Sequence, residues 1–125
     1  MSRPISSLMQ RKVRCANLDD TVEEVEKSLV DSRMTWMPVV ESDGTALGVI
    51  SAADLLRFHA DHKDASTTHA WQLCTYRPIV VPSDASIGEV ARQMVDRGVH
   101  HVVVVDDERL SGVVSSLDFV RTFIE

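Results

Sequence analysis

One seven-residue motif occurs twice in this chain, and the constant distance between its copies restricts the fold more than any other feature. Residues 48–54 read GVISAAD and residues 112–118 read GVVSSLD, so the glycine, the serine and the aspartate of the two copies are all 64 positions apart. In each copy a glycine precedes a short apolar strand, a serine ends the strand, and an aspartate follows three positions later. Serine is a favoured N-cap, so the motif predicts a strand that runs directly into a helix.

The duplication extends well beyond this motif. Two potential capping boxes lie 65 positions apart, one opened by Thr21 and the other by Ser86. Residues 37–41 (MPVVE) recur, again after 65 positions, as residues 102–106 (VVVVD). The distance then becomes 64 because the next turn is one residue shorter in the second half, and surface turns tolerate such changes. Apolar residues follow each cap at helical spacing, and the two predicted stripes comprise Val22, Val25, Leu29 and Val30, and Ile87, Val90, Ala91, Met94 and Val95.

Each half is therefore predicted to contain a strand, a helix, a β-hairpin and a second helix. We place the first repeat at residues 5–58, a polar linker at 59–69 and the second repeat at 70–124. A unit of this length buries little apolar surface alone, so we expect an α+β fold in which the two β-α-β-β-α repeats pack sheet to sheet with pseudo-two-fold symmetry. The predicted elements are a helical turn at 5–9 (with 73–74 in its place in the second half), strands at 12–16, 37–40, 46–50, 79–81 and 102–105, and helices that begin at Thr21, Ser51 and Ser86.

Composition excludes several classes of protein. The net charge of −6 over 125 residues argues against a nucleic-acid surface and against adsorption to anionic lipid. There is no apolar run of membrane-spanning length, and the N-terminus lacks the apolar core of a signal peptide. Cys15 and Cys74 form no C-x-x-C motif, so we interpret them as buried thiols of a protein in a reducing cytoplasm.

The repeated motif also predicts a binding chemistry. Ser51 and Ser115 begin helices, whose amide groups and positive dipole end favour anions. The carboxylates of Asp54 and Asp118 are able to accept two hydrogen bonds from a diol, so that each copy suits a ribose and its phosphate. The alternative is that Ser-x-x-Asp is only a capping box, which requires no ligand.

The order of these elements resembles that of the cystathionine-β-synthase-type (CBS) domain, which occurs in tandem pairs known as Bateman modules. The resemblance covers about Ile5 to Phe123 and depends on residues 37–41 and 48–54 and on their second copies. It implies a regulatory module, not an enzyme, that binds AMP, ADP, ATP or S-adenosylmethionine in the cleft between the repeats and forms a homodimer. Because the sequence starts and ends with the pair, we expect it to act alone on a separate, unidentified protein effector.

The resemblance also assigns roles to individual residues. It makes the two motif aspartates the acceptors of the ribose hydroxyls and places the two motif serines against ribose or phosphate. The residues before the second strand of each repeat would contact phosphate, and the first strand would line the adenine pocket. These positions are Thr35, Trp36, His100 and His101 for phosphate, and Val13, Cys15, Ile79 and Val81 for adenine. We expect one strong and one weak site, with the histidine pair the better anion binder, although histidine is mostly neutral near pH 7.

Several alternatives stay open. Arg57 and Arg121 contact either phosphate or a second copy, or pair with their own motif aspartates. Trp36 stacks on a base or packs in the core, and Trp71 is expected to pack between the repeats. A ligand-free dimerisation or docking module is the first rival function, and a metal- or redox-responsive switch is the second. That switch would use the two cysteines and the linker residues His59, Asp61, His62, Asp64 and His69. The sequence shows no nucleophile elbow and no P-loop.

Overall fold

The computed structural model describes residues 3–75 and 79–124. The chain divides into two compact units, which we call the middle unit (Arg14–Pro78) and the terminal unit (Met1–Val13 with Ile79–Glu125). In the described residues, each unit contains one three-stranded sheet and its helices. The predicted α+β class is confirmed. Within these same residues, no helix is both long enough and apolar enough to cross a bilayer.

The middle unit is built on the strand order β1-β2-β3. Strand β1 runs parallel to β2, and β2 and β3 form the predicted antiparallel hairpin. The hairpin turn contains Gly44 at a φ of 90°, which glycine adopts without steric cost. The elements are β1 (Ala16–Asn17), α1 (Val22–Ser32), β2 (Trp36–Val40), β3 (Ala46–Ser51), α2 (Ala52–Ala60) and α3 (Ala70–Leu73).

The terminal unit repeats this plan with the strand order β4-β5-β6. Strand β4 runs parallel to β5, and β5 and β6 form the second hairpin. Asp107 and Glu108 close that hairpin with φ values of 51° and 67°, the left-handed geometry of a two-residue type I′ turn. The elements are a 3₁₀ turn (Ile5–Ser7), β4 (Val80–Val81), α4 (Ile87–Arg97), β5 (His101–Asp106), β6 (Arg109–Ser115) and α5 (Ser116–Thr122).

The helix caps follow the sequence closely. The Thr21 hydroxyl accepts a hydrogen bond from the Glu24 amide at 3.2 Å, and the Glu24 carboxylate accepts one from the Thr21 amide at 3.4 Å. The predicted capping box at Ser86 is confirmed in its serine half, where the hydroxyl accepts a bond from the Glu89 amide at 3.1 Å. Both α1 and α4 therefore begin where the caps predict.

Each unit has its own apolar core, and the predicted stripes are confirmed except at one edge. Val22, Val25 and Leu29 of α1 are buried in the middle unit, and three equivalent residues of α4 are buried in the terminal unit. Val30 and Val95, however, are 75% and 73% exposed. Their placement in the buried stripes was wrong, because the core covers only the centre of each stripe.

The compact units do not coincide with the sequence repeats, because the segment that begins each repeat packs with the other repeat. Ile5 is fully buried in the terminal core, and its amide donates to the carbonyl of Ala85 at 2.6 Å. Gln10 pairs with Val113 of β6, and Thr75 pairs in the same way with Val49 of β3. We call residues 3–13 and 68–75 the exchanged segments.

The segment predicted as a linker is more ordered than its composition indicates. His59 and Ala60 form the end of α2. Farther along, the carbonyls of Ala65 and Thr68 accept hydrogen bonds from the first amides of α1, at 3.1 Å and 2.8 Å. The strand predicted at residues 12–16 is also displaced, since its observed pairing with β2 is confined to Ala16–Asn17.

Candidate functional site

In the middle unit, the motif forms a complete helix cap. Ser51 ends β3 and is the N-cap of α2, and its hydroxyl accepts a hydrogen bond from the Asp54 amide at 3.2 Å. One carboxylate oxygen of Asp54, Oδ2, accepts a bond from the Ser51 amide at 2.9 Å. The other, Oδ1, accepts one from Arg57 at 2.5 Å. Both oxygens of this predicted ribose acceptor are therefore engaged within the chain.

The equivalent carboxylate in the terminal unit has more partners and is more deeply buried. Asp118 Oδ2 accepts hydrogen bonds from the amide and the hydroxyl of Ser115, at 2.8 Å and 3.2 Å. Oδ1 accepts bonds from Gln10 Nε2 at 3.1 Å and from Arg121 at 3.4 Å. The Asp118 side chain is 6% exposed, whereas that of Asp54 is 16% exposed. The two carboxylates therefore differ in their hydrogen-bond partners and burial, and the predicted difference in ligand affinity stays a prediction.

The two motif arginines pair with their own aspartates, one of the two hypotheses for them. Both pairs span three positions on a helix, and both arginine side chains are largely exposed. Ion pairs with an exposed partner contribute little to stability. The arginines are thus able to turn into solvent and leave one carboxylate oxygen, Oδ1, to another donor.

The strand beside each motif serine supplies the next predicted residues. Trp36 lies opposite Ser51 across the middle hairpin, and His101 lies opposite Ser115 across the terminal one. Thr35 and His100 contribute through their backbones, because their carbonyls accept bonds from the first amides of α2 and α5 at 2.8 Å and 3.0 Å. The helix N-termini are less open than we predicted, since these amides already have acceptors.

The imidazole of His101 is a weak source of positive charge. Burial lowers its pKa, the neighbouring His100 lowers it further, and the carboxylate of Asp118 acts in the opposite direction. His101 is therefore mostly neutral at pH 7. This weakens the electrostatic basis for a phosphate site at the histidine pair.

The residues predicted to line the adenine pocket are divided between the units. Val13, Ile79 and Val81 belong to the terminal unit, and Cys15 belongs to the middle unit. Val81 is buried in the terminal core, and burial raises the pKa of the Cys15 thiol. The structure thus brings Val13, Ile79, Val81, His100, His101, Ser115 and Asp118 into one unit, and Cys15, Thr35, Trp36, Ser51 and Asp54 into the other.

Sequence reasoning missed Gln10, which lies 108 positions before its partner Asp118. Gln10 is in line with Thr75 at the repeat spacing of 65, and both residues pair with the strand that carries the motif. The spacing could have shown that Gln10 and Thr75 are equivalent residues, but it does not show which copy of the motif each exchanged segment contacts.

A groove of about 330 Å³ borders Asp118 in the terminal unit. Its lining is mostly polar and consists of Arg3, Ser7, Leu8, Gln10, Asp118, Arg121 and Thr122. This volume is at the lower end of the range for small-molecule sites.

Two of the residues considered for a metal site, His59 and Asp64, contact different partners. His59 Nε2 lies 2.6 Å from a carboxylate oxygen of Glu26, and the Asp64 carboxylate accepts bonds from the amide and hydroxyl of Ser66. In the part of the chain that the structure describes, no three His, Cys, Asp or Glu side chains are grouped as metal ligands.

Fold and site together define a class of protein: a tandem module in which each of two equivalent sheets leads into a helix capped by Ser-x-x-Asp. The chain belongs to the CBS domain family, whose family model matches residues 5–61 and 70–125. The resemblance drawn from the repeated motifs is thereby confirmed.

Proteins of known sequence or structure resemble this chain over nearly its whole length. The uncharacterized protein MJ0188 of Methanocaldococcus jannaschii is 33% identical over 128 residues, and the alignment covers 100% of this chain but 46% of that protein. The solved CBS domain pair of protein MJ0100, in complex with 5-methylthioadenosine and S-adenosyl-L-methionine, is 25% identical with a TM-score of 0.84, and the match covers 96% of this chain and 98% of that one. CBSX2 of Arabidopsis thaliana, solved with AMP, is 23% identical with a TM-score of 0.87 and 98% and 96% coverage, a likeness that shows the fold.

Proposed function

We propose that this protein is a regulatory module that binds an adenosine-containing ligand, such as AMP, ADP, ATP or S-adenosylmethionine, and signals its presence to a separate protein. The observation that carries this proposal is the Asp118 carboxylate, which is buried beside a groove and held by the motif serine. The pair of MJ0100, a member of the same family, was solved with two adenosine-containing molecules.

The chemistry of the carboxylate supports a ribose ligand. A diol supplies two hydroxyl donors, and each hydrogen bond to a charged acceptor contributes about 1.5–3 kcal/mol. In the terminal unit the diol would replace the long 3.4 Å contact from Arg121 to Asp118. In the middle unit it would compete with the shorter contact from Arg57 to Asp54, so we expect the terminal site to bind more tightly.

Regulation would follow from differential binding. A ligand that binds one arrangement of the module better than another shifts the population toward that arrangement. We propose that the effector protein recognises one of these arrangements. In this role the module itself is regulatory and not catalytic.

The first test is a thermal-shift panel with AMP, ADP, ATP, S-adenosylmethionine, NAD and GTP, followed by titration calorimetry of the ligand that stabilises the protein most. A ligand at 100 times its dissociation constant adds about 2.7 kcal/mol of stability. We expect Asp118→Ala to weaken binding by about tenfold or more, and Asp54→Ala to weaken it less. A selective response to one adenosine ligand would name the signal.

A helix-cap variant without a motif aspartate serves as the control. Ser86→Ala removes the serine cap of α4 and costs about 1 kcal/mol of stability. It is expected to leave ligand affinity unchanged. Unchanged affinity in both aspartate variants would refute the ribose assignment.

One observation favours a second function, a docking module that binds no nucleotide. Both motif carboxylates already have intramolecular donors on each oxygen, as a purely structural cap requires. This alternative predicts that Asp118→Ala lowers stability while none of the six ligands stabilises the wild-type protein.

A further inference from the structure

The groove beside Asp118 has two arginines in its lining. Arg3 and Arg121 both line it, together with the hydrogen-bonding side chains of Ser7 and Gln10. The buried carboxylate of Asp118 already accepts bonds from Arg121 and Gln10. Two arginines and one aspartate leave this lining with a formal charge of +1, in a chain whose net charge is −6.

The backbone holds Arg3 at this place. The carbonyl of Arg3 accepts a hydrogen bond from the Ile87 amide, at the start of α4, at 2.9 Å. Two residues later, the buried side chain of Ile5 anchors the segment in the terminal core. The Arg3 side chain itself makes no hydrogen bond or ion pair with any residue that the structure describes, so its five donors are available to a ligand.

The duplication supplies an internal comparison. Thr68 is the counterpart of Arg3, since its carbonyl accepts a hydrogen bond from the first amide of α1 at 2.8 Å, just as Arg3 does at α4. The middle unit keeps Arg57 where the terminal unit has Arg121, but it has no cation in the position of Arg3. The second arginine therefore distinguishes the two units, although the fold around it is the same.

We propose that the groove between Arg3 and Arg121 binds the phosphate group of a phosphorylated small molecule, in the role that the family resemblance implies for His100 and His101. Guanidinium groups remain charged at all physiological pH values and bind phosphate oxygens in pairs. His101 lacks this property, because burial lowers its pKa and keeps its imidazole mostly neutral at pH 7. The inference depends on the proposed function only for the identity of the molecule that carries the phosphate.

The test is titration calorimetry with three probes: AMP, adenosine and inorganic phosphate. We expect Arg3→Gln and Arg121→Gln each to weaken the binding of AMP and phosphate by about tenfold or more. Adenosine, which has no phosphate, is expected to bind the Arg3→Gln variant as well as it binds the wild-type protein. Arg57→Gln is the matched control, because it removes the equivalent arginine of the middle unit, and it is expected to leave the phosphate affinity unchanged. Circular dichroism checks that all variants are folded.

The outcomes separate this inference from the proposed function. If AMP binds and Asp118→Ala weakens it, but Arg3→Gln has no effect, the phosphate site is wrong and the adenosine sensor stands. If inorganic phosphate binds and depends on Arg3, but no adenosine ligand binds, the phosphate site stands and the sensor does not. An equal loss of AMP and adenosine on Arg3→Gln, or no binding of AMP and phosphate to the wild-type protein, overturns the inference.

Discussion

Two side chains in equivalent positions have diverged across the duplication. Trp36 and His101 each lie on the strand opposite the motif serine, and they are 65 positions apart. Trp36, at the start of the central strand β2, is buried and apolar. His101 is half-buried beside the carboxylate of Asp118. The terminal unit therefore contains a titratable group where the middle unit has none.

This histidine predicts a pH dependence of stability. Burial lowers the pKa of His101 below the value of about 6.5 for imidazole in an unfolded chain. The unfolded chain therefore binds a proton more readily than the folded protein. As pH falls below about 6.5, the free energy of unfolding should decrease, whereas above that pH the group should have no effect. Urea unfolding measures how the free energy of unfolding changes with pH, over the range of about pH 5 to 8 in which histidine titrates.

Substitution identifies the group responsible. We expect His101→Gln to reduce the dependence on pH, because the variant has no proton to gain at this position. His62→Asn, at an exposed position with left-handed backbone that asparagine tolerates, should keep the wild-type slope. Equal slopes for His101→Gln and the wild-type protein would contradict the assignment.

The exchanged segments explain why each copy of the motif begins with glycine. A Cβ atom on Gly48 would overlap the backbone carbonyl oxygen of Thr75, and one on Gly112 would lie 2.7 Å from the carbonyl oxygen of Gln10. Both carbonyls belong to segments that pair with the motif strands. The glycines are needed for this close approach of two backbones.

Alanine at these glycines should therefore detach the segments. We expect Gly48→Ala and Gly112→Ala to destabilise the protein by about 2–4 kcal/mol, within the range for forced overpacking and lost pairing. Gly48→Ala should be the more damaging, since its new Cβ would lie closer to a backbone carbonyl oxygen than the Cβ of Gly112→Ala would. Thermal unfolding measures both. Gly98→Asn, in open space at a φ of 64°, is the control and should change stability by less than about 1 kcal/mol.

At the level of elements, the sequence predicted what depends on local chemistry. Thr21 and Ser86 are caps because their hydroxyls accept hydrogen bonds from amides three residues later. The strands are rich in β-branched residues and flank short turns, so both hairpins were predicted at nearly the observed positions. The pairing of Arg57 with Asp54 was likewise one of two hypotheses that spacing alone supports.

Long-range partners were outside the reach of that reasoning. Residues 8–9 and 73–74 are equivalent by sequence, and either copy is apolar enough to pack with either repeat. The sequence therefore did not predict that each exchanged segment packs with the other repeat, nor the contact of Gln10 with Asp118 that results. Periodicity also fails to show which edge of an apolar stripe is covered, which is why Val30 and Val95 were misplaced.

On the scale of the whole molecule, the misplaced valines support the proposed homodimer. Val30 and Val95 are equivalent residues on α1 and α4, and both are largely exposed. Leu56 of α2 and Val120 of α5, which are 64 positions apart, are also exposed. Each unit therefore exposes apolar side chains on its helices, and a second copy that covers them would remove this apolar surface from water.

Charged side chains at the two exposed valines test whether these residues lie in a dimer interface. We expect the wild-type protein to sediment as a dimer, and the double variant Val30→Glu, Val95→Glu to sediment as a monomer, because an interface does not bury unpaired carboxylates. Glu41→Gln, an exposed position in the turn of the middle hairpin and outside the helices, should leave the dimer intact. Sedimentation velocity distinguishes the two masses. A monomeric wild-type protein would refute the proposal.

The exchange of segments has a consequence for how this chain is made. The middle unit is one continuous stretch, Arg14–Pro78, so all of its residues are synthesised before residues 79–124. The terminal unit takes its strands from the end of the chain and Ile5, which is buried in its core, from the beginning. Residues 3–13 are synthesised before residues 79–124, so the side chain of Ile5 stays uncovered until its core partners follow. Native pairing of Gln10 with Val113 is then a late event, and a chain interrupted after residue 78 would contain a complete middle unit and an unpaired segment 3–13.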